Sequence, residues 1–258
     1  MLTIKSRMII PMPIRIVVYG STNQVELPLL LNFTQNRLNI LTAPLGSRCP
    51  SWDAMKVRRL AMLLSNLPSP PCDLAELEQY ATEGDLAARW LTDIAAFSDL
   101  AEGCTVADLG AGNGVLGLGA LAMGAGRAIL VEADQAACDV AKSNAESMGF
   151  ADSVEVIQAT LGSDPVDLGS ADVVISNPPW GRQTPRADRP FLEAIITAEV
   201  PAHLLHSAEA THIQPLFEDA GWSVEKYGEA DFALPAAYSH HSRQRGRTRA
   251  AFWRLVPP

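Results

Sequence analysis

The chain has 258 residues, 48% of them apolar, and a net charge of −9. That length holds one large domain or two small ones, and the acid excess excludes a protein gripped by nucleic acid over its whole surface. Cys49, Cys72, Cys104 and Cys138 form no C-x-x-C pair, which argues against a structural zinc site, and the apolar stretch Met8 to Val18 is too short and too broken by Pro11, Pro13 and Arg15 to span a membrane.

Residues 1–54 carry five basic and two acidic residues, so the acid excess lies in the remainder. Strands are predicted at Ile14 to Tyr19 and Val25 to Phe33. This segment is expected to be either a small strand-bearing appendage or, preferably, an extension preceding a natural start at Met55. A helix is predicted over Ala54 to Asn66, from the spacing of Leu60, Leu63, Leu64 and Leu67. A helical stretch near Leu74 to Glu78 follows, and a second strong helix spans Glu83 to Phe97, interrupted early by Gly84.

From Thr105 onward strands and helices alternate. Strands are predicted at Thr105 to Asp108, Ala128 to Glu132, Val154 to Gln158, Ala171 to Ser176, Ala202 to Leu205, Trp222 to Tyr227 and Ala250 to Val256. Helices are predicted at Gly114 to Met123, Gln135 to Met148, Phe191 to Ala198, and Ala208 to Ala220 with a break near Pro215. Short strand–helix repeats require parallel strands with helices on both faces. The last two strands lack an intervening helix and form an antiparallel pair. The fold class is therefore α/β: a Rossmann-like sheet of seven strands, mostly parallel, with one antiparallel strand at the end of the chain. The main domain is 55–258, including the N-terminal helices of 55–97.

Two motifs carry chemistry. Val106 to Gly119, VADLGAGNGVLGLG, is a strand ending in Asp108, a turn with Gly110, Gly112 and Gly114, and a helix start. Such glycines let a ligand approach the backbone closely. Asn177-Pro178-Pro179-Trp180 ends another apolar run and reaches the same rim of the sheet. Together they read as a class I S-adenosylmethionine-dependent methyltransferase acting on a planar amino nitrogen. Glu132, ending the second strand, is placed to accept the ribose hydroxyls, with Asp134 as a rival acid that also suits a helix cap. Asn177 Oδ1 and the Pro178 carbonyl can accept the two hydrogens of the amine, Pro179 stiffens the turn, and Trp180 is expected to stack on the base. No metal site is expected, because His203, His206, His212, His240 and His241 form no H-x-x-x-H pattern. Arg182, Arg186 and Arg189, with Arg243, Arg245, Arg247, Arg249 and Arg254, give two basic loops suited to phosphate.

From Met55 the chain resembles the methyltransferase-like protein 5 family. The residues carrying this are Met55-Lys56 to Leu60, Leu77-Glu78-Gln79-Tyr80-Ala81-Thr82, Ala87-Ala88-Arg89, Ala107 to Leu116, Asn177 to Gly181, Asp188, Phe191 and Leu192, and Leu234-Pro235, Tyr238 and His241. The resemblance implies transfer of a methyl group from S-adenosylmethionine to N6 of an adenosine in small-subunit ribosomal RNA. It implies that Gln79, Tyr80 and Thr82 close over the cofactor and that Tyr238 to His241 lies beside the target, with Trp180, Arg182 and Arg243. It also implies a small zinc-containing activator of the Trm112 type. Three positions depart: Ala81 replaces a proline, His240 replaces a phenylalanine, and Thr160 stands where an Asp contacts the cofactor adenine. A protein glutamine-N5 methyltransferase, a DNA adenine-N6 methyltransferase and a non-enzymatic rRNA assembly factor are the alternatives. A cytoplasmic location is expected.

Overall fold

Parallel strands buried on both faces read as unbroken apolar runs. Val173 to Ser176 is such a run, and all four of its residues are buried. The computed structural model describes residues 15–19, 24–28, 31–34, 37–40, 57–69, 82–181, 184–233 and 247–258. They fall into two units, Met1–Cys49 and Pro50–Pro258.

The first unit contains two separate antiparallel hairpins. One pairs β1 (Arg15–Tyr19) with β2 (Gln24–Pro28), the other β3 (Leu31–Thr34) with β4 (Arg37–Ile40). The single strand expected over Val25 to Phe33 is thus two strands with different partners.

The second unit opens with α1 (Val57–Ser65) and α2 (Gly84–Ala96), then alternates: β5 (Thr105–Leu109), α3 (Val115–Ala122), β6 (Arg127–Glu132), α4 (Gln135–Ser147), β7 (Val154–Gln158), β8 (Val173–Ser176), α5 (Arg189–Ala198), β9 (Ala202–Ser207), α6 (Ile213–Asp219), β10 (Ser223–Ala233) and β11 (Arg247–Val256). The sheet order is β10-β11-β9-β8-β5-β6-β7. β5 to β9 are parallel, and β11 lies antiparallel between β9 and β10. The chain starts its sheet in the middle and winds both ways from β5. The switch point, where loops diverge and a cleft opens, therefore lies between the carboxyl ends of β5 and β8.

Side chains alternate across the sheet with period two. Val106, Leu130, Val173 and Ile175 join the core beneath α1 to α4, while Ala107, Ile129, Val131 and Val174 join the core with Leu192 and Ile195 of α5 and Phe217 of α6. Among the described residues no helix is long and apolar enough to cross a membrane.

Three helix boundaries differ from expectation for local reasons. α5 begins at Arg189, two residues early, because Pro190 fits a first turn, where no intrahelical N–H is needed. α6 covers only Ile213–Asp219, and Pro215 lies inside its first turn rather than breaking it. α2 begins at Gly84 rather than breaking there, and it is pressed against the end of α1. A Cβ on Gly84 would stand 2.3 Å from the Ser65 nitrogen and 2.7 Å from the Leu64 carbonyl carbon. Backbone cannot yield as a side-chain tip can. Gly84→Ala is therefore expected to lower stability by about 1–3 kcal/mol despite alanine's better helix propensity, measured by urea unfolding.

A polar network fastens the second unit across its length. Asp99 accepts from His203 Nε2 at 2.9 Å and from Arg254 Nε and Nη2 at 2.6 and 2.9 Å. Burial works against the Asp99 carboxylate, but these donors outweigh it and hold its pKa at about 2. Next to it Trp90 donates its indole N–H to the Tyr227 hydroxyl at 2.8 Å.

Candidate active site

The cleft is built at the carboxyl ends of β5, β6 and β8. Gly110 and Ala111 donate their backbone N–H groups to the Val131 carbonyl at 2.9 and 3.0 Å, pinning the glycine turn to β6. Gly110, Gly112 and Gly114 all have positive φ, 74°, 55° and 83°. At Gly112 a Cβ would meet nothing within 4 Å, so the turn borders open space on its outer side. Gly112 N–H donates to Glu132 Oε2 at 2.8 Å, and Ala133 and Asp134 N–H donate to Glu132 Oε1 at 2.9 and 3.0 Å. Three backbone donors thus fix a buried carboxylate on the rim; Oε1 accepts two of them, and Oε2, with one, keeps a second lone pair for a hydroxyl. Asp134 caps α4, accepting from Ala136 N–H at 3.0 Å.

Asp108 is fully buried. Its Oδ2 accepts from Gly117 N–H at 2.9 Å, while Oδ1 makes no hydrogen bond. Burial pushes this carboxyl up to about 7; the Gly117 N–H pulls against that and the Glu132 charge adds to it.

On the opposite wall Ser176 donates its hydroxyl to the Leu109 carbonyl at 2.8 Å, tying the end of β8 to the end of β5. Asn177 follows, half-buried. Its Nδ2 donates to Thr82 Oγ1 at 3.1 Å, and its Oδ1 accepts from Trp180 Nε1 at 3.2 Å. Indole N–H can only donate, so the amide oxygen is identified by its partner. Trp180 is 8% exposed and packs on Phe232 (ring centroids 4.8 Å) and His206 (6.0 Å). Its immediate neighbours are protein rings, and its N–H orients Asn177. Pro178 is buried and Pro179 half-buried.

The site therefore brings together Thr82, Asp108, Gly110, Gly112, Gly114, Glu132 and Asn177 to Trp180. Thr160 is exposed just beyond β7, its N–H donating to Asp164 Oδ2 at 2.8 Å. Gln79, Tyr80, Arg182, Tyr238, His241 and Arg243 lie outside the described residues. The basic loops need correction. Arg254 is bound bidentately by Asp99, while Arg189 pairs with Glu193 at 2.7 Å and Arg249 with Glu229 at 2.8 Å. The last two are exposed pairs that a phosphate can open; Arg254 is held in the structural network.

Two buried amides escaped the sequence reading. Asn113 and Asn144 both donate to the Pro68 carbonyl, at 3.0 and 3.1 Å, and Asn144 also donates to the Asn113 carbonyl at 2.9 Å. They tie the segment after α1 to the glycine turn. An Asn inside an amphipathic helix carries no signal of this, since its partner is 76 residues away.

The methyltransferase small domain profile matches residues 82–211, the stretch that carries the glycine turn, Glu132 and the N-P-P-W turn. The chain belongs to this methyltransferase family. An uncharacterized protein of Methanocaldococcus jannaschii is 33% identical over 201 residues, 74% of this chain and 89% of its own length. The rRNA N(6)-adenosine-methyltransferase METTL5 of Danio rerio is 30% identical over 211 residues, 79% of this chain and all of its own. The crystal structure of PH1948 from Pyrococcus horikoshii superposes with a TM-score of 0.69 at 31% identity, covering 78% of this chain and 98% of that one.

The cofactor of this methyltransferase is S-adenosylmethionine. The residues fit it: an orphaned carboxylate oxygen on Asp108, a glycine turn open on its outer side, and a rim carboxylate with a spare lone pair on Oε2. Gly112→Ala puts a methyl into that open space at a left-handed backbone angle. It is expected to weaken S-adenosylmethionine binding about tenfold while costing roughly 1–2 kcal/mol of stability, read by calorimetry and urea unfolding.

Proposed function

We propose that this methyltransferase modifies the N6 amino group of an adenosine in RNA, with small-subunit ribosomal RNA as the substrate. The observation that carries the reading is the Asn177 amide at the end of β8, held between Thr82 and Trp180, the second of which identifies its oxygen. An exocyclic adenine amine is a weak nucleophile because its lone pair is delocalised into the ring. Asn177 Oδ1 and the Pro178 carbonyl accept its two hydrogens, which turns the lone pair toward the cleft and favours a tetrahedral nitrogen. When bound, S-adenosylmethionine would supply the sulfonium methyl and keep the electron pair of its C–S bond, while the N6 amine held by Asn177 and Pro178 would give up one proton to solvent. The work of the chain is alignment and electrostatic placement.

The Danio rerio relative, named as an rRNA adenosine methyltransferase and matched over its full length, supports the choice of substrate. Arg182, Tyr238, His241 and Arg243 would then contact the RNA around the reacting base, and Gln79 and Tyr80 would close on the cofactor beside Thr82. The test is methyl transfer from labelled S-adenosylmethionine to total RNA and to protein, with and without a zinc-containing activator of the Trm112 type. N6-methyladenosine at one position of small-subunit rRNA is expected. Label confined to protein as methylglutamine would overturn the substrate and retain the cofactor.

A further inference from the structure

Three side chains outside the cofactor cleft converge on one point. Asp188 stands at the N-cap of α5, His206 near the end of β9, and His212 at the N-cap of α6. One ligating atom from each lies within 4.8 Å of the other two. His212 Nε2 is 2.5 Å and His206 Nε2 3.2 Å from the same oxygen, Asp188 Oδ2. His206 is 1% exposed, yet neither of its ring nitrogens makes a hydrogen bond. Burying an imidazole whose Nδ1 has no partner and whose Nε2 meets a carboxylate only in poor hydrogen-bond geometry is costly, and one carboxylate oxygen shared by two rings is an inefficient arrangement. The same geometry suits a cation. Ligand atoms around tetrahedral Zn²⁺ stand about 3.3 Å apart when the bonds are near 2.0–2.1 Å.

We propose that Asp188, His206 and His212 form a Zn²⁺ site on this chain. Two imidazoles and a carboxylate are a donor set that zinc accepts, and the half-exposed His212 side leaves a fourth position to water. The absence of an H-x-x-x-H pattern does not exclude it, because the ligands come from two helix caps and a strand end. The ion would clamp the start of α5 to β9 and α6. It would also fix the His206 ring, on which Trp180 stacks, behind the N-P-P-W turn.

The test titrates Zn²⁺ into the metal-free full chain against a chromophoric chelator, beside His212→Asn. Asparagine is a favoured N-cap, so this variant keeps α6. The native chain is expected to take up one equivalent more than the variant, or to bind that equivalent at least tenfold more tightly. Its Tm should rise roughly 5–10 °C at hundredfold excess over Kd, a gain the variant lacks. No uptake by the native chain, or equal stoichiometry, affinity and Tm gain in both chains, would overturn the site. Uptake at other cysteines or histidines appears equally in both chains and cancels in the difference between them.

Discussion

Asn177→Ala is expected to lower kcat for methyl transfer by about 10²–10³-fold, with the Kd for S-adenosylmethionine changed by less than about threefold. The alanine removes the acceptor that aligns the amine in the transition state and leaves the glycine turn, Glu132 and Asp108 untouched. It also leaves the largely buried Trp180 N–H without that acceptor, which costs about 1–3 kcal/mol of stability. Asn177→Asp separates the two effects. A carboxylate can still accept from Trp180 and from the amine, so part of the activity should return. Single-turnover kinetics and cofactor calorimetry on both variants check this. Unchanged kcat in the alanine variant would remove Asn177 from the reaction.

Asp108→Asn should alter both binding and the response to pH. The carboxyl titrates near 7 in the folded chain against an ordinary 3.8. Between those values the folded chain keeps a proton that the unfolded chain has released, so this group's contribution to stability falls as pH rises through the window and is fully lost above it. An amide does not titrate. The variant should therefore lack this component: its Tm relative to native should improve from pH 5 to pH 8. Its affinity for S-adenosylmethionine should fall by about tenfold, because the unpartnered Oδ1 acceptor is replaced by a donor. Tm measured at both pH values and a cofactor titration at pH 8 test the two claims. A constant Tm difference across pH would mean that Asp108 is ionised throughout.

The alternating core was legible because its strands declare themselves. Ile129 to Val131 and Val173 to Ile175 are apolar on both faces, as buried parallel strands must be, and each ends at the residue that matters, Glu132 or Asn177. Rim position follows from strand direction alone, so the places of the glycine turn, Glu132 and Asn177 could be read locally. What could not be read depends on partners distant in sequence. Trp180 follows N-P-P and invites a stacking role, but its environment is set by His206 and by Phe232, 52 residues on. Arg254 counts as one more basic residue in the sequence, yet Asp99, 155 residues earlier, holds it. Asp188, His206 and His212 have no periodic spacing, and only the meeting of α5, β9 and α6 makes them a cluster. The pairing in the first unit was missed for a different reason: apolar residues run through most of Val25 to Phe33, and Pro28, where the first of its two strands ends, is tolerated within an edge strand as well as at its end.

The placement of β11 has a consequence for how the protein is made. The strand that separates β9 from β10, residues 247–256, is synthesised after both of them. Until it leaves the ribosome, β9 presents an open edge and β10 has no neighbour in the sheet, a state prone to wrong pairing. Completion of this half of the sheet must therefore wait for β11, although β9 and β10 precede it in the chain. Loss of residues 247–256 would remove the strand that joins β10 to the rest of the sheet, together with the Arg254 anchor, rather than trim its margin.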